Sequence, residues 1–258
     1  MIVVTVTNQK GGVGKTSTAH ALITGLHAYG YKVLAIDLDP QTNLTYTSGN
    51  FPDLPTLYDA FTGKASIQDV ITKSSVGYDV TPGDVSFSSA DMEFTAKNKT
   101  FILKGLLEPI KENYDYCIID TPPTLGILTI NALSTSDKAI IPMNADIYSA
   151  QGLSQLWSLM DSVRTYCNPD LITAGILINR FNARSVINRQ INDSIYDIAK
   201  TLNTHVFMSH IREAVAVKEV QYMQGSLFRD YPSAKVTSDY WHFIDEFLGK
   251  PVTLNTIK

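Results

Sequence analysis

Residues 2–30 restrict the fold of this chain more than any other stretch. An apolar, β-branched run, IVVTV, leads into NQKGGVGKTS, and apolar residues at helical spacing follow (Ala19, Leu22, Ile23, Leu26) until Gly30. Strand, glycine-rich turn and helix in this order make a phosphate cradle. Glycines at 11, 12 and 14 let the backbone turn tightly, its N–H groups converge, and the helix directs its positive end at the same point. The phosphate-loop pattern G-x-x-x-x-G-K-[ST] fits Gly14, Lys15 and Thr16, but Gln9 stands where the first glycine belongs and a second lysine, Lys10, follows it. Lys15 is placed to contact β- and γ-phosphates and the Thr16 hydroxyl to ligate Mg²⁺; Lys10, Gly11, Gly12, Val13, Gly14 and Ser17 complete the candidate nucleotide site. The competing reading, a glycine-rich turn that holds nothing, has the flanking strand and helix against it. Like-charge repulsion keeps Lys10 out of the site of Lys15 unless a polyphosphate lies there or its side chain turns toward another subunit's ligand.

Strand-like and helix-like segments alternate along the rest of the chain. Strand candidates are 32–36, 78–81, 116–119, 138–141, 173–178 and 205–208; helix candidates are 100–112, 126–133, 151–166, 186–202 and 233–248. Apolar strands separated by helices predict one α/β domain over residues 1–258, a mostly parallel central sheet with helices on both faces and its ligand at the carboxyl ends of the strands. The 258 residues suffice for one large core, and no low-complexity linker divides them. The N-terminal run has no basic residue before it and reads as a first strand rather than a signal peptide. Cys117 and Cys167 lie too far apart for a close-spaced metal pair and read as free thiols in a reducing, cytoplasmic compartment.

Three aspartates, Asp37, Asp39 and Asp120, close apolar strands and so fall at the carboxyl edge beside the phosphate loop. Magnesium and a triphosphate need such groups, which makes Thr16, Asp39 and Asp120 the candidate metal site, with Asp120 in the Walker B role. Taken singly, each aspartate also suits a helix cap or a turn.

K-G-G-x-G-K-[TS] is the deviant form of the Walker A box, and other blocks accompany it in order: AIDLDPQTNLT at 35–45, IIDTPPTLGILTINAL at 118–133 and AIIPMNADIYSAQGLSQL at 139–156. In these the chain resembles the ParA/Soj-type partition ATPases, related to MinD and more distantly to the nitrogenase iron protein. The resemblance implies ATP and Mg²⁺ as cofactors and a catalytic set of Lys10, Lys15 and Asp39. It implies that Lys10 reaches across a nucleotide-sandwich homodimer to the partner's ATP, that Asp39 orients or deprotonates the attacking water, and that Asn179 contacts adenine. It further implies slow hydrolysis stimulated by a ParB-class partner, nonspecific binding to duplex DNA and association with the nucleoid. A helix-turn-helix extension before the loop, and with it operator recognition, is not expected.

Net charge is −4, yet residues 1–160 contain no arginine and all six arginines follow. Arginine suits bidentate phosphate contact, so Arg184, Arg189, Arg212 and Arg229, with Lys218 and Lys235, are candidate DNA contacts; solvated surface charge is the plain alternative. A MinD-like membrane-bound switch and a metabolic enzyme of the dethiobiotin synthetase or amidoligase type share the loop. Against the membrane, the stripe Tyr240, Phe243, Ile244, Phe247 and Leu248 shares its helix with Asp239, His242, Asp245 and Glu246, which anionic lipid would repel. Against the metabolic enzyme, no motif for a second substrate is visible. An iron-protein role lacks suitably placed cysteines.

Overall fold

The computed structural model describes residues 1–94, 97–146, 149–182 and 186–250. β1 (Ile2–Val6) and α1 (Lys15–Ala28) frame the glycine-rich loop, followed by β2 (Val33–Asp37), α2 (Asn43–Ser48), α3 (Leu57–Thr62), α4 (Ile67–Val70), β3 (Thr72–Lys73) and β4 (Asp79–Thr81). Next come α5 (Ala90–Glu93), α6 (Ile102–Leu107), β5 (Tyr116–Asp120), α7 (Ile127–Thr135), β6 (Lys138–Asn144), α8 (Ser149–Tyr166) and β7 (Ile172–Asn179). The chain closes with α9 (Val186–Thr201), β8 (Val206–Ile211), α10 (Val215–Tyr222), α11 (Leu227–Asp230) and α12 (Lys235–Phe247). One eight-stranded sheet in the order β3-β4-β2-β5-β1-β6-β7-β8 runs through the structure. Every pairing is parallel except β3 with β4.

Side-chain alternation divides the core into two faces, as period-2 geometry demands. Val4, Val6, Ala35, Ile118 and Ile140 meet α1 and α12 on one face. Val3, Leu34, Ile36, Cys117 and Ile119 point to the other, with Ala139 and Ile141 continuing it toward α8. Helices α1 and α12 approach closely at Gly25, where an added Cβ would lie 2.2 Å from Ile244 Cδ1. The C-terminal stripe is core: Tyr240, Phe243, Ile244 and Phe247 are buried. Its acids serve the fold. Asp239 pairs with Arg212, Asp245 accepts the Tyr29 hydroxyl, and Glu246 accepts the N–H groups of Met208 and Ser209 on the edge strand β8. Among the described residues no helix is long and apolar enough to cross a membrane.

The helix expected over 100–112 is shorter. α6 is flanked by 3₁₀ turns at Lys97–Phe101 and Glu108–Asn113, and Pro109, which has no N–H, opens the second of them. The two-residue β3 and the short helices α2 to α5, α10 and α11 have no counterpart among the sequence expectations, because four to eight residues carry too little periodicity to register.

His20 of α1 is buried beside Tyr78, with ring centroids 6.5 Å apart, and its Nε2 has no hydrogen-bond partner among the described residues. Burial pushes its pKa down to about 4. The unfolded chain therefore takes up a proton that the folded chain refuses, and stability falls as pH drops from near the ordinary histidine value toward 4. Between pH 7 and pH 5 this one residue is expected to remove roughly 2 kcal/mol. Urea unfolding at the two pH values should show that much less pH dependence in His20→Leu than in the wild type; equal dependence would refute it.

Candidate functional site

The parallel register places the acids before any side chain is considered. Val6 pairs with Asp120 and Asp120 with Asp37, so β1, β5 and β2 end at one level, and Asp39 lies two residues beyond β2. The loop from β1 to α1 turns above them, with Gly12 at φ 73° and Gly14 at φ 91°, left-handed conformations that glycine adopts without Cβ strain. At Gly14 an added Cβ would also lie 2.6 Å from Asn179 Nδ2, whereas at Gly11 and Gly12 it would meet nothing within 4 Å. No side chain caps the start of α1, leaving its first-turn N–H groups directed at the cavity the loop borders.

That cavity measures about 590 Å³. Gly11, Gly12, Gly14, Lys15, Thr16 and Ser17 line it on the loop side, and Asp39, Pro123, Arg180 and Tyr222 face them. A second lobe of about 140 Å³ adjoins it, sharing Gly14, Ser17, Arg180 and Gln221 and adding Asn179, Ile211, Val217 and Tyr240. Gln221 Nε2 donates to Ser17 Oγ at 3.1 Å, tying α10 to the loop helix.

The two lysines do not compete. Lys15 is buried, and its ammonium donates to the Lys10 carbonyl oxygen at 3.3 Å. The Lys10 ammonium turns away to Asp146, just after β6, at 2.5 Å. Asn8 braces the loop entrance, its Nδ2 donating to the Pro142 carbonyl and its Oδ1 accepting the Lys10 N–H.

Burial holds the Lys15 pKa below the ordinary lysine value, against the opposing pull of Asp120 and Asp39. Burial likewise raises Asp120 well above the usual carboxylate range, reinforced by Asp37 and opposed by the Thr16 hydroxyl. Asp39 is raised by burial and drawn back by the Gln41 N–H and Lys15. Asp37 serves the fold instead. It accepts from the Thr45 N–H, the Thr45 hydroxyl and the Asp39 N–H, anchoring α2, and burial lifts its pKa to about 6.

Both carboxylate oxygens of Asp120 are buried without a hydrogen-bond partner among the described residues. Two orphaned acceptors at the floor of the loop, with the Thr16 hydroxyl nearby, are a donor set that suits a hard divalent cation. No group of three or more His, Cys, Asp or Glu side chains converges among the described residues, so such an ion would complete its shell with water and phosphate oxygens, as Mg²⁺ does.

Asn179 Nδ2 donates to the Val13 carbonyl and to Thr18 Oγ1, which sets the amide orientation and leaves the buried Oδ1 without a partner. The candidate DNA contacts do not share one situation. Arg212 is bound bidentately by Asp239 at 2.6 and 2.7 Å, and Arg229 by Asp230 at 2.8 and 2.9 Å, which neutralises both before any phosphate approaches. Lys218 and Lys235 are exposed. Arg184 lies outside the described residues, as does the side chain of Arg189.

Sequence reasoning missed Asp146, Arg180 and Gln221. The first lay in a block already singled out, and the second directly follows Asn179; nothing in the sequence pointed to the third.

The profile of a family described as an AAA domain matches residues 1–173. The sporulation initiation inhibitor protein Soj of Bacillus subtilis is 37% identical over 221 residues, which is 84% of this chain and 86% of Soj. Among solved structures, apo McdA from Cyanothece superposes with a TM-score of 0.86 at 25% identity, over 96% of this chain and 100% of that one. A cobyrinic acid a,c-diamide synthase from Mycobacterium smegmatis, solved with a bound ATP analog and magnesium, superposes with a TM-score of 0.84 at 27% identity, over 96% of this chain and 94% of that one. With the phosphate loop, the strand-end aspartates and these matches in one continuous α/β domain, the chain belongs to the ParA/Soj family of P-loop ATPases.

Proposed function

We propose that this protein is an ATP-dependent switch for DNA segregation, cycling between a monomer and a nucleotide-sandwich dimer that binds duplex DNA without reading its sequence. The observation that carries it is the cleft in which an uncapped helix, buried Lys15 and the orphaned Asp120 oxygens converge, in a chain of the ParA/Soj family. ATP is the substrate and Mg²⁺ the cofactor. Thr16 and Asp120 would hold the ion, which supplies charge neutralisation at the terminal phosphates. Lys15 and the loop N–H groups bind the phosphate oxygens, and Asp39 positions the attacking water and takes its proton. The unpartnered Asn179 Oδ1 suits the exocyclic amino group of a purine, as adenine would present it. Lys10 is engaged by Asp146 within one chain, so service to a partner's ATP requires that ion pair to open. We assign that exchange to dimerisation, which leaves the isolated monomer slow.

Contact with DNA falls first to the exposed Lys218 and Lys235, since Arg212 and Arg229 are neutralised in the fold. A ParB-class adaptor would accelerate hydrolysis and release, and the ATP-bound dimer would be found on the nucleoid. Duplex association is expected only with ATP and Mg²⁺, and several neutralised phosphates should make it fall about a hundredfold or more between 50 and 200 mM salt. Mobility shift on unrelated sequences checks this; binding without nucleotide, or none with it, would sink the switch.

The amide-forming name of one structural neighbour favours a second reading, a metabolic ATPase that activates a small carboxylic acid. ATP turnover strictly dependent on an added acid or amine would select it.

A further inference from the structure

Arg180 stands where the phosphate and base lobes of the cavity meet. It follows Asn179 at the end of β7, lines both lobes and is exposed. Its backbone has φ 52°, in the left-handed region that side chains other than glycine, asparagine and aspartate avoid because Cβ crowds the neighbouring carbonyl. Such strain persists where a side chain has work that outweighs it.

Charge narrows that work. Among the described residues Lys15 and Arg180 are the cations lining the larger lobe, and Lys15 lies under the loop against the Lys10 carbonyl. In the smaller lobe Arg212 is bound to Asp239, which leaves Lys218, confined to that lobe, and Arg180, which borders both. Arg180 makes no ion pair with an acid among the described residues. A nucleotide with its terminal phosphates on the loop and its base beside Asn179 carries the α-phosphate and ribose through the junction. A guanidinium there presents a planar fork matched to phosphate oxygens.

We infer that Arg180 is a nucleotide-positioning residue that grips the α-phosphate where the two lobes join, holding the base in register with the loop. This rests on the nucleotide reading above. The left-handed backbone makes the two duties separable, because glycine adopts that conformation without strain.

Titration of ADP, with Mg²⁺, into the wild type, Arg180→Gly and Arg180→Lys, together with melting of each apoprotein, tests it. Arg180→Gly should melt at the wild-type temperature or above and bind ADP at least about tenfold more weakly, the size of one lost charge-assisted contact. Arg180→Lys, which keeps the charge without the fork, should recover part of the loss. Affinity within twofold of wild type in Arg180→Gly overturns the assignment, and so does a lowered melting temperature with unchanged affinity, which marks a structural residue. A lysine variant as weak as the glycine variant overturns the phosphate contact. Wild-type protein that binds no ADP would remove the nucleotide reading itself, whatever the variants do.

Discussion

Lys15→Ala is expected to weaken ATP binding by at least about a hundredfold, because it removes a buried cation from a site built around a polyanion. The ammonium is not a mobile surface charge. It lies under the loop, donates to the Lys10 carbonyl and feels Asp120 and Asp39 on its other side. Burial has already shifted its pKa down, so phosphate oxygens would meet a poorly solvated ammonium and take the place of its lost water. The alanine variant loses that attraction and leaves two buried carboxyl groups facing the incoming phosphates. Lys10 does not substitute within the same chain, since its ammonium points to Asp146. Calorimetric titration with a non-hydrolysable ATP analogue measures the effect; binding within threefold of wild type would show that the loop does not hold phosphate through Lys15.

Asp39→Ala should separate binding from chemistry, leaving ATP affinity within a few-fold of wild type while single-turnover phosphate release falls by about a hundredfold or more. Asp37 and Asp39 differ in what their oxygens already do. Asp37 spends its carboxylate on Thr45 and the Asp39 N–H, which is the work of a brace. Asp39 lines the cavity and accepts one loop N–H, from Gln41 at 2.9 Å. Its raised pKa makes it a better proton acceptor than an exposed aspartate, and the Gln41 N–H holds it in place. Turnover within threefold of wild type would move the water-positioning role to another residue.

Legibility followed sequence distance. The loop, its helix and the strand-end aspartates were readable because each depends on neighbours within a few residues: glycine freedom, a helix start, an apolar run that ends. Short elements escaped, as did the 3₁₀ turns around α6, where one proline outweighs a helical pattern. Arginine counts suggested a polyanion surface, yet an arginine's charge is available only if the fold has not already matched it. Arg212 and Asp239 are 27 residues apart, and their bidentate contact exists because β8 and α12 pack together.

By itself the sequence determined a parallel α/β sheet, a phosphate cradle between β1 and α1, and acids at the carboxyl edge beside it, since φ/ψ preference and hydrophobic period act locally. Tertiary structure alone decided which groups meet: Lys10 with Asp146 at a separation of 136 residues, Asn179 with the Val13 carbonyl at 166, Gln221 with Ser17 at 204. Those contacts depend on strand order and on how helices seat against the sheet. Both are settled by burial of the whole apolar core, which no local segment encodes.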